Sequence, residues 1–181
     1  MSIFTNSPSR SPDESGAYAK AVLGLVGDAD PLDILRTTPA LLRDLLAGLP
    51  EEVLNAPEKA GKWSVREVAR HLADSELVWA VRLRMVLAQE RPTLHGYDQE
   101  AWASRLRYRE ADLEAALHEF DAVRRGNVAL LEGAAADDLR RVGVHGERGE
   151  ESVERMVPLY AGHDLVHLRQ IRRILSAVAS S

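Results

Sequence analysis

The sequence has no cysteine among its 181 residues, which excludes disulfide bonds, thiolate metal ligands and cysteine nucleophiles. It also lacks any block of like charge, because the net charge is −5 and the acidic and basic residues are interspersed. Neither a basic arm for nucleic acid nor a polybasic membrane patch is therefore expected. No apolar run reaches the length of a transmembrane helix. We expect neither nucleic acid nor a membrane as a partner.

The N-terminal stretch MSIFTNSPSRSPDES is polar and lacks the apolar core that a signal peptide requires. It predicts a cytoplasmic protein with a short disordered leader over residues 1–14. One domain is expected over residues 15–181, since a chain of this length with 45% hydrophobic residues can bury one core of ordinary size.

Isoleucine and threonine are sparse, whereas alanine, leucine, arginine and glutamate are abundant, so α-helix is the expected element. The long amphipathic segments predict an all-α four-helix bundle. The first helical region is predicted over 15–27 and then 31–48, and the other three segments over 64–89, 110–132 and 153–178. Breaks are expected near Pro31 and Pro39. The links 49–63 and 90–109 are predicted as connections long enough for crossovers.

Local signals indicate several helix ends. Ser64 is a candidate N-cap with Glu67 at the capping-box position three residues later, and Ser152 is a candidate cap of the last helix. Gly133 is expected to end the third helix. Pro158 falls in the early turns of the last helix, where a proline need not end it. The glycine-punctuated segment RVGVHGERGEES suggests a short hairpin.

Two histidines lie four residues apart in the segment YAGHDLVHLRQI of the last helix. Projected at 100° per residue, His163 and His167 fall within the apolar stripe of this helix. That stripe consists of Val153, Met156, Val157, Tyr160, Ile171, Ile174, Leu175 and Val178. Two neutral imidazoles at this spacing can converge on one metal ion. The pair fits equally well two core histidines that are hydrogen-bonded to backbone or carboxylate groups.

A third ligand candidate, His71, lies in the helix that begins at Ser64. It lies on the flank of that helix's apolar stripe, which opens into the groove between helices where bundle sites are built. The stripe consists of Val65, Val68, Leu72, Trp79, Leu83 and Val86. The remaining histidines, His95, His118 and His145, are expected at the surface.

Two acidic residues are candidates for a supporting or acid–base role. Glu76 lies deeper in its apolar stripe than His71, which predicts a buried carboxylate that either pairs with an arginine or orients a ligand. Asp164 lies at the edge of the stripe that contains His163 and His167.

Three segments carry a resemblance to a known family: GKWSVREVARHLADSE at 61–76, HGYDQEAWA at 95–103 and HDLVHLRQIRRIL at 163–175. In this order they resemble the DinB/YfiT-like superfamily of bacterial four-helix bundles, over about residues 30 to 178. The resemblance implies an up-down-down-up bundle and frequent homodimerisation. It also implies a divalent metal ion, zinc or nickel, bound by His71, His163 and His167.

Three imidazoles without a thiolate or carboxylate leave coordination positions for water or substrate, as in a catalytic rather than a structural site. The resemblance implies a metal-dependent enzyme for a small-molecule substrate, either a hydrolase or a transferase with a low-molecular-weight thiol as cosubstrate. Two alternatives stay open. One is a non-catalytic metal- or ligand-binding stress-response protein, and the other is an interaction bundle whose histidines are ordinary core residues.

The substrate pocket is expected between the second and last bundle helices and the 90–103 connection. Tyr97, Asp98 and Trp102 are the candidates nearest its mouth, and ordinary loop packing is the alternative for all three. Arg82 is a fourth candidate, because it lies on the His71 side and could attract an anionic substrate. The alternative for Arg82 is a surface ion pair with Glu67 or Asp74.

Overall fold

The computed structural model describes residues 12–179, which form eight α-helices, a 3₁₀ turn at Tyr108–Glu110 and three short strands. The helices are α1 (Pro12–Val26), α2 (Pro31–Leu46), α3 (Glu51–Asn55), α4 (Val65–Ala88), α5 (Gln99–Arg105), α6 (Leu113–Glu132), α7 (Ala136–Leu139) and α8 (Val153–Ala179). The strands are β1 (Thr93–Leu94), β2 (Val142–His145) and β3 (Gly149–Ser152). Most of the predicted leader lies outside the described residues, and α1 begins at Pro12, ahead of the predicted start at residue 15.

Helices α2, α4, α6 and α8 form the predicted four-helix bundle, in the order α2, α6, α4, α8 around its axis. Side-chain contacts give the helix directions: Arg70–Glu119 and Arg84–Asn127 between α4 and α6, Arg36–Glu132 and Arg43–Glu114 between α2 and α6, and His71–His167 and Arg82–Tyr160 between α4 and α8. Helices α4 and α6 therefore run parallel, and both run antiparallel to their other neighbours. This is the up-down-down-up topology that the resemblance implies.

The bundle interior has two apolar halves. One half includes Leu72 of α4, Phe120 of α6 and Ile171 of α8. The other half includes Trp79, Val128 and Met156 of the same three helices. Buried polar side chains lie in the middle of the bundle, next to these halves: His71, Glu76, Arg124, Asn127, Asp164 and His167. Burying so many polar groups is costly unless they have partners, and their partners form the centre described below.

The predicted helix signals are present. Ser64 Oγ accepts from the Glu67 amide at 3.4 Å, and Glu67 Oε2 accepts from the Ser64 amide at 2.8 Å, which is a complete capping box at the start of α4. The Arg155 amide donates to Ser152 Oγ at 3.2 Å at the start of α8. Helix α8 continues through Pro158, and Gly133 is the C-cap of α6.

The predicted break at Pro39 is wrong, because α2 runs through this residue. A proline inside a helix leaves the carbonyl four residues earlier without its amide donor. Here that carbonyl belongs to Leu35, and Arg124 Nη1 donates to it at 3.0 Å. A buried side chain from another helix thus replaces the missing backbone bond. Pro31, in contrast, lies at the start of α2, directly after the capping residue Asp30.

The two long connections contain more structure than predicted. The 49–63 link includes the short helix α3, and the 90–109 link includes β1 and α5. The glycine-punctuated segment forms the predicted hairpin, in which β2 and β3 are antiparallel, and β1 adds to it in parallel with β2. The sheet lies next to the end of α4 and the start of α8, where it covers one end of the bundle.

Helix α1 packs against the outer side of α8. The contact is close at Gly162, where an added Cβ would lie 2.4 Å from Val22 Cγ1 and 2.5 Å from the Val22 carbonyl oxygen. Only a glycine fits at this crossing. Among the described residues, no helix combines the length and the apolar character that crossing a membrane requires.

Candidate metal centre

Three histidine side chains meet between α4 and α8. His71 comes from α4, and His163 and His167 come from successive turns of α8, so the four-residue spacing places both rings on the side that faces α4. The Nε2 atoms of His71 and His163 lie 3.3 Å apart, and those of His163 and His167 lie 3.2 Å apart. The candidate ligand atoms of the three rings all lie within 4.8 Å of one another.

These separations suit a divalent metal ion. Two imidazole nitrogens bound to one tetrahedral ion at about 2.0–2.1 Å lie about 3.3–3.4 Å apart. Hydrogen bonds alone account for the arrangement less well. His163 Nε2 has either one proton or one lone pair, and it faces Nε2 of both other rings. A shared cation gives all three lone pairs a partner at once.

The rings are in the protonation state that metal binding requires. Burial lowers the pKa of His71 and of His163 well below the usual histidine value, and the neighbouring histidines lower the pKa of both further. Burial lowers the pKa of His167 to about 4. All three imidazoles are therefore neutral near pH 7, with a lone pair available for a cation.

The Nδ1 atoms of His167 and His71, which point away from the metal position, differ in their hydrogen-bond partners. His167 Nδ1 lies 2.8 Å from Gln170 Oε1, an acceptor, so Nδ1 carries the proton and Nε2 is left free to bind a metal. His71 Nδ1 is buried and has no hydrogen-bond partner among the described residues. The ring of His71 instead packs against Trp63, with 5.0 Å between ring centroids.

A serine and a tyrosine extend the site on its α4 side. Ser75 Oγ lies 3.3 Å from His71 Nε2 and 2.7 Å from the Tyr97 hydroxyl. Burial raises the pKa of Tyr97 well above its usual value, so the phenol keeps its proton. Tyr97 is one of the predicted pocket residues, whereas Ser75 is not. The signal for Ser75 is its position one helical turn after His71 on the same face.

Glu76 and Asp164 are both tied to one arginine of α6 that the sequence analysis does not single out. Arg124 Nη2 donates to Glu76 Oε2 at 2.7 Å, and Asn127 donates to Glu76 Oε1 at 2.8 Å. Burial opposes the charge of Arg124, but Asp164 and Glu76 outweigh it and raise its pKa. Glu76 therefore pairs with an arginine, which is one of the two roles predicted for it. These contacts position the ligand helices and give no support to an acid–base role for either carboxylate.

A cavity of about 100 Å³ adjoins the metal centre at His163. His163 and Ser75 form its side next to the metal centre. Two of the predicted pocket residues, Arg82 and Tyr97, line it. The cavity wall also includes four residues with polar groups that the sequence analysis does not predict there: Tyr18, Gln99, Arg148 and Tyr160. The ring of Tyr160 stacks on Trp79 at 4.4 Å between centroids, which fixes its hydroxyl toward Arg82.

The alternative of a surface ion pair for Arg82 is wrong. Its side chain is buried, donates to the Tyr160 hydroxyl at 3.1 Å and also donates to the His95 carbonyl. Glu67 instead pairs with Arg109, and Asp74 accepts from Arg70 and from the Tyr108 hydroxyl. Among the described residues, Arg82 makes no surface ion pair because its side chain points inward from the last third of α4 and lines the cavity.

The other two predicted pocket residues have structural contacts. Asp98 is the exposed N-cap of α5, where its carboxylate accepts from the Ala101 amide at 2.9 Å. Trp102 packs on the ring of Tyr97, with 4.5 Å between centroids, and does not line the cavity itself. Both therefore hold the connection that brings Tyr97 to the site.

The surface location expected for His145 is wrong, whereas His95 and His118 are exposed as predicted. His145 is only 2% exposed because alternate residues of β2 face the interior. Its Nδ1 accepts from the Glu147 amide at 3.2 Å. Burial, together with the positive charges of Arg148 and Arg82, lowers its pKa to about 4.

The comparison with protein families identifies the family of this chain. The sequence pattern of the DinB superfamily matches residues 34–171, which is more than half of the chain. The chain therefore belongs to the DinB superfamily. This confirms the resemblance noted in the three sequence segments.

Similar proteins come from several bacilli. A protein of Oceanobacillus iheyensis is 32% identical over 133 residues, which cover 74% of this chain and 77% of that protein. A protein of Bacillus licheniformis is 32% identical over 139 residues, covering 76% and 79%. Both are provisionally named metal-dependent hydrolases. The solved structure of YfiT from Bacillus subtilis matches with a TM-score of 0.78 and 22% identity, over 97% of this chain and 94% of that one. It is described as a four-helix bundle of unusual topology, which supports the fold.

Proposed function

We propose that this protein is a metal-dependent hydrolase whose divalent ion, zinc or nickel, is held by His71, His163 and His167. The observation that carries the proposal is the convergence of three neutral Nε2 atoms at separations of 3.2 and 3.3 Å. The provisional names of the relatives as metal-dependent hydrolases support the same reaction class. Three imidazoles suit both zinc and nickel.

The ion would supply Lewis-acid polarisation of a scissile carbonyl and activation of a water molecule. The protein's part is to hold three ligands and leave the remaining positions facing the cavity, which His163 lines. Arg124 fixes the two ligand helices relative to each other through Glu76 and Asp164. This pre-organisation keeps the three nitrogens at metal-binding distance.

The Ser75–Tyr97 pair is a proton-bearing group between the triad and the cavity. The Tyr97 hydroxyl is protonated at neutral pH and lies 2.7 Å from Ser75 Oγ, which in turn lies 3.3 Å from His71 Nε2. Both side chains line the cavity. We assign them the donation of a hydrogen bond to the substrate oxygen on which negative charge develops during hydrolysis.

Metal content tests the first half of the proposal. The protein is purified without a histidine tag, and the divalent metals are measured by elemental analysis before and after dialysis against a chelator. We expect a stoichiometric ion that is lost in His163→Ala and in His71→Ala. The matched control is His118→Ala, because this histidine is exposed on α6 and lies outside the triad.

Turnover tests the second half. The metal-loaded protein is screened with esters, amides and lactones, each with and without a low-molecular-weight thiol. Hydrolysis that needs the ion and fails in His163→Ala supports the proposal, whereas turnover only with a thiol assigns a thiol transferase instead. A bound ion without turnover of any substrate favours a binding protein. Metal content that is the same in wild type and in both triad variants would overturn the site.

A further inference from the structure

The wall of the cavity carries a positive charge that has no ion-pair partner among the described side chains. Arg82 is 8% exposed, and its guanidinium donates only to neutral oxygens, the Tyr160 hydroxyl and the His95 carbonyl. No carboxylate of the described residues lies within ion-pair distance of it. Its Nε is buried without any hydrogen-bond partner among those residues. A buried charge left in this way is costly, so its position at a cavity indicates a ligand.

A second arginine, Arg148, lines the same wall, but its charge is already balanced. Its guanidinium donates to both carboxylate oxygens of Glu151, with Nη2 to Oε2 at 2.8 Å. Burial tends to raise the pKa of Glu151, but Arg148 outweighs this and lowers it, so the carboxylate is charged. His145, which the charges of both arginines reach, is neutral near pH 7 because its pKa is about 4. The charge of Glu147 also acts on Arg148, so Arg148 has carboxylate partners and Arg82 is the arginine of this wall without a carboxylate in contact among the described residues.

We propose that this cavity binds a substrate with a carboxylate group, which Arg82 holds while the scissile carbonyl lies at the three histidines. The proposal rests on the proposed function, because it concerns the substrate of the same site. A single guanidinium that donates only to neutral oxygens matches a monoanionic carboxylate better than a phosphate, which carries a charge of about −1.5 to −2 at neutral pH. The planar guanidinium also matches the carboxylate fork.

The opposite end of the cavity fixes the orientation of the substrate. His163 lines one side of the cavity and Arg82 another, with Tyr160 touching Arg82 and lying 6.4 Å, between ring centroids, from His163. The carboxylate and the reacting carbonyl thus belong to different ends of one small molecule. Gln99 lines the cavity as well, and its Oε1 is buried without a partner among the described residues, so it can accept from an N–H or O–H group of the substrate.

Hydroxamates test the carboxylate site because the hydroxamate group binds divalent metals and leaves the far end variable. The zinc-loaded protein is titrated calorimetrically with hydroxamates that end in a carboxylate and with their neutral carboxamide counterparts, over a series of chain lengths. At the best length we expect the acid to bind at least about tenfold more tightly than the amide. In Arg82→Met this preference is lost, and in Arg82→Lys it is partly kept. Arg155→Met, at an exposed position of α8, keeps it in full.

The outcomes separate this inference from the metal site. If the amide and the acid bind equally to the wild type, or if Arg82→Met keeps the preference, the carboxylate site is wrong even though the metal centre stands. If neither hydroxamate binds and no zinc is held, the proposed function is wrong. The carboxylate site is then measured directly by NMR titration with propionate against propionamide, and equal binding of the two overturns it. Should Arg82→Met fail to fold, Arg82→Lys is compared with the wild type instead, and an undiminished preference for the acid in this variant overturns the carboxylate site.

Discussion

Arg124 and Asp164 are joined by two parallel hydrogen bonds, Nη1 to Oδ2 at 2.5 Å and Nη2 to Oδ1 at 3.0 Å, in the centre of the bundle. Asp164 directly follows His163 on α8. The same guanidinium donates to Glu76, which lies five residues after His71 on α4. One arginine of α6 therefore connects the two helices that carry all three histidines, although it touches none of them. The position of the metal centre depends on this contact.

We expect Arg124→Met to lower the free energy of unfolding by about 3–5 kcal/mol, because it leaves two buried carboxylates without a cation. Urea denaturation measures the change. Adding Glu76→Gln and Asp164→Asn to Arg124→Met should recover much of it, since the buried negative charges are then gone. The comparison is Arg36→Met, which removes an exposed ion pair with Glu132 and should cost no more than about 1 kcal/mol. Equal costs for the two arginines would contradict the assigned role.

The sequence predicts the helices, the caps and the pair His163 and His167 because these depend on local spacing, whereas His71 is joined to this pair by the family resemblance. Ser64 with Glu67, and His163 with His167, each lie within one turn of helix. The contacts of Arg124 are different. Arg124 and Arg125 are adjacent and alike in sequence, and only the packing of α6 between α2 and α4 decides that the first is buried and the second exposed.

The predictions that failed depend on the same kind of distant contact. Pro39 does not break α2 because Arg124, far along the chain, supplies the hydrogen bond to the Leu35 carbonyl. His145 is buried because β2 is covered on its inner face, which its flanking glycines do not reveal. Arg82 points inward to a cavity that exists only once α8 and the 90–109 connection have packed against α4.

Gln170 should tune the affinity for the metal ion through His167. We expect Gln170→Leu to weaken zinc binding by about ten- to a hundredfold, because His167 Nδ1 loses the acceptor that fixes its tautomer. Gln170→Glu keeps an acceptor at this position and should retain or strengthen binding. Competition with a zinc-binding dye measures both. Equal affinities of Gln170→Leu and wild type would show that the contact has no part in metal binding.

Removal of the Tyr97 hydroxyl should slow turnover and leave the metal content unchanged. We expect Tyr97→Phe to lower kcat by about a hundredfold on the substrate found by the hydrolysis screen. Ser75→Ala should have a similar effect, because the two hydroxyls are joined by one hydrogen bond of 2.7 Å. The double variant should be no slower than the slower single variant. If the loss of kcat in the double variant equals the product of the two single losses, the two groups act separately.

The close crossing of α1 and α8 predicts a large difference between two glycine substitutions. Gly162→Ala should destabilise the protein by about 1–3 kcal/mol, because its Cβ would meet both the side chain and the carbonyl oxygen of Val22. Adding Val22→Ala to Gly162→Ala should recover only part of the lost stability, since the carbonyl oxygen of residue 22 remains. In Gly126→Ala on α6 the nearest atom lies at an ordinary 3.7 Å, so this variant should be neutral or slightly stabilising. Thermal denaturation measures the melting temperature of each variant. Equal melting temperatures for Gly162→Ala and Gly126→Ala would contradict a close contact between α1 and α8 at Gly162.

His145 should make stability depend on pH. Its pKa is about 4 in the folded protein, against about 6.5 in the unfolded chain. Between these values the unfolded chain binds a proton that the folded protein does not, so stability falls as the pH decreases from about 6.5 to 4. We expect this residue to account for about 2 kcal/mol of the loss between pH 8 and about pH 5.

His145→Gln removes the titrating ring from β2 and isolates this contribution from that of the three metal-site histidines. Urea denaturation of wild type and variant is compared across this pH range, with a chelator present so that both proteins are metal-free. The variant should lose about 2 kcal/mol less than the wild type on acidification, because the three other buried histidines titrate equally in both. Parallel pH profiles would mean that the imidazole of His145 takes up its proton in the folded protein as readily as in the unfolded chain.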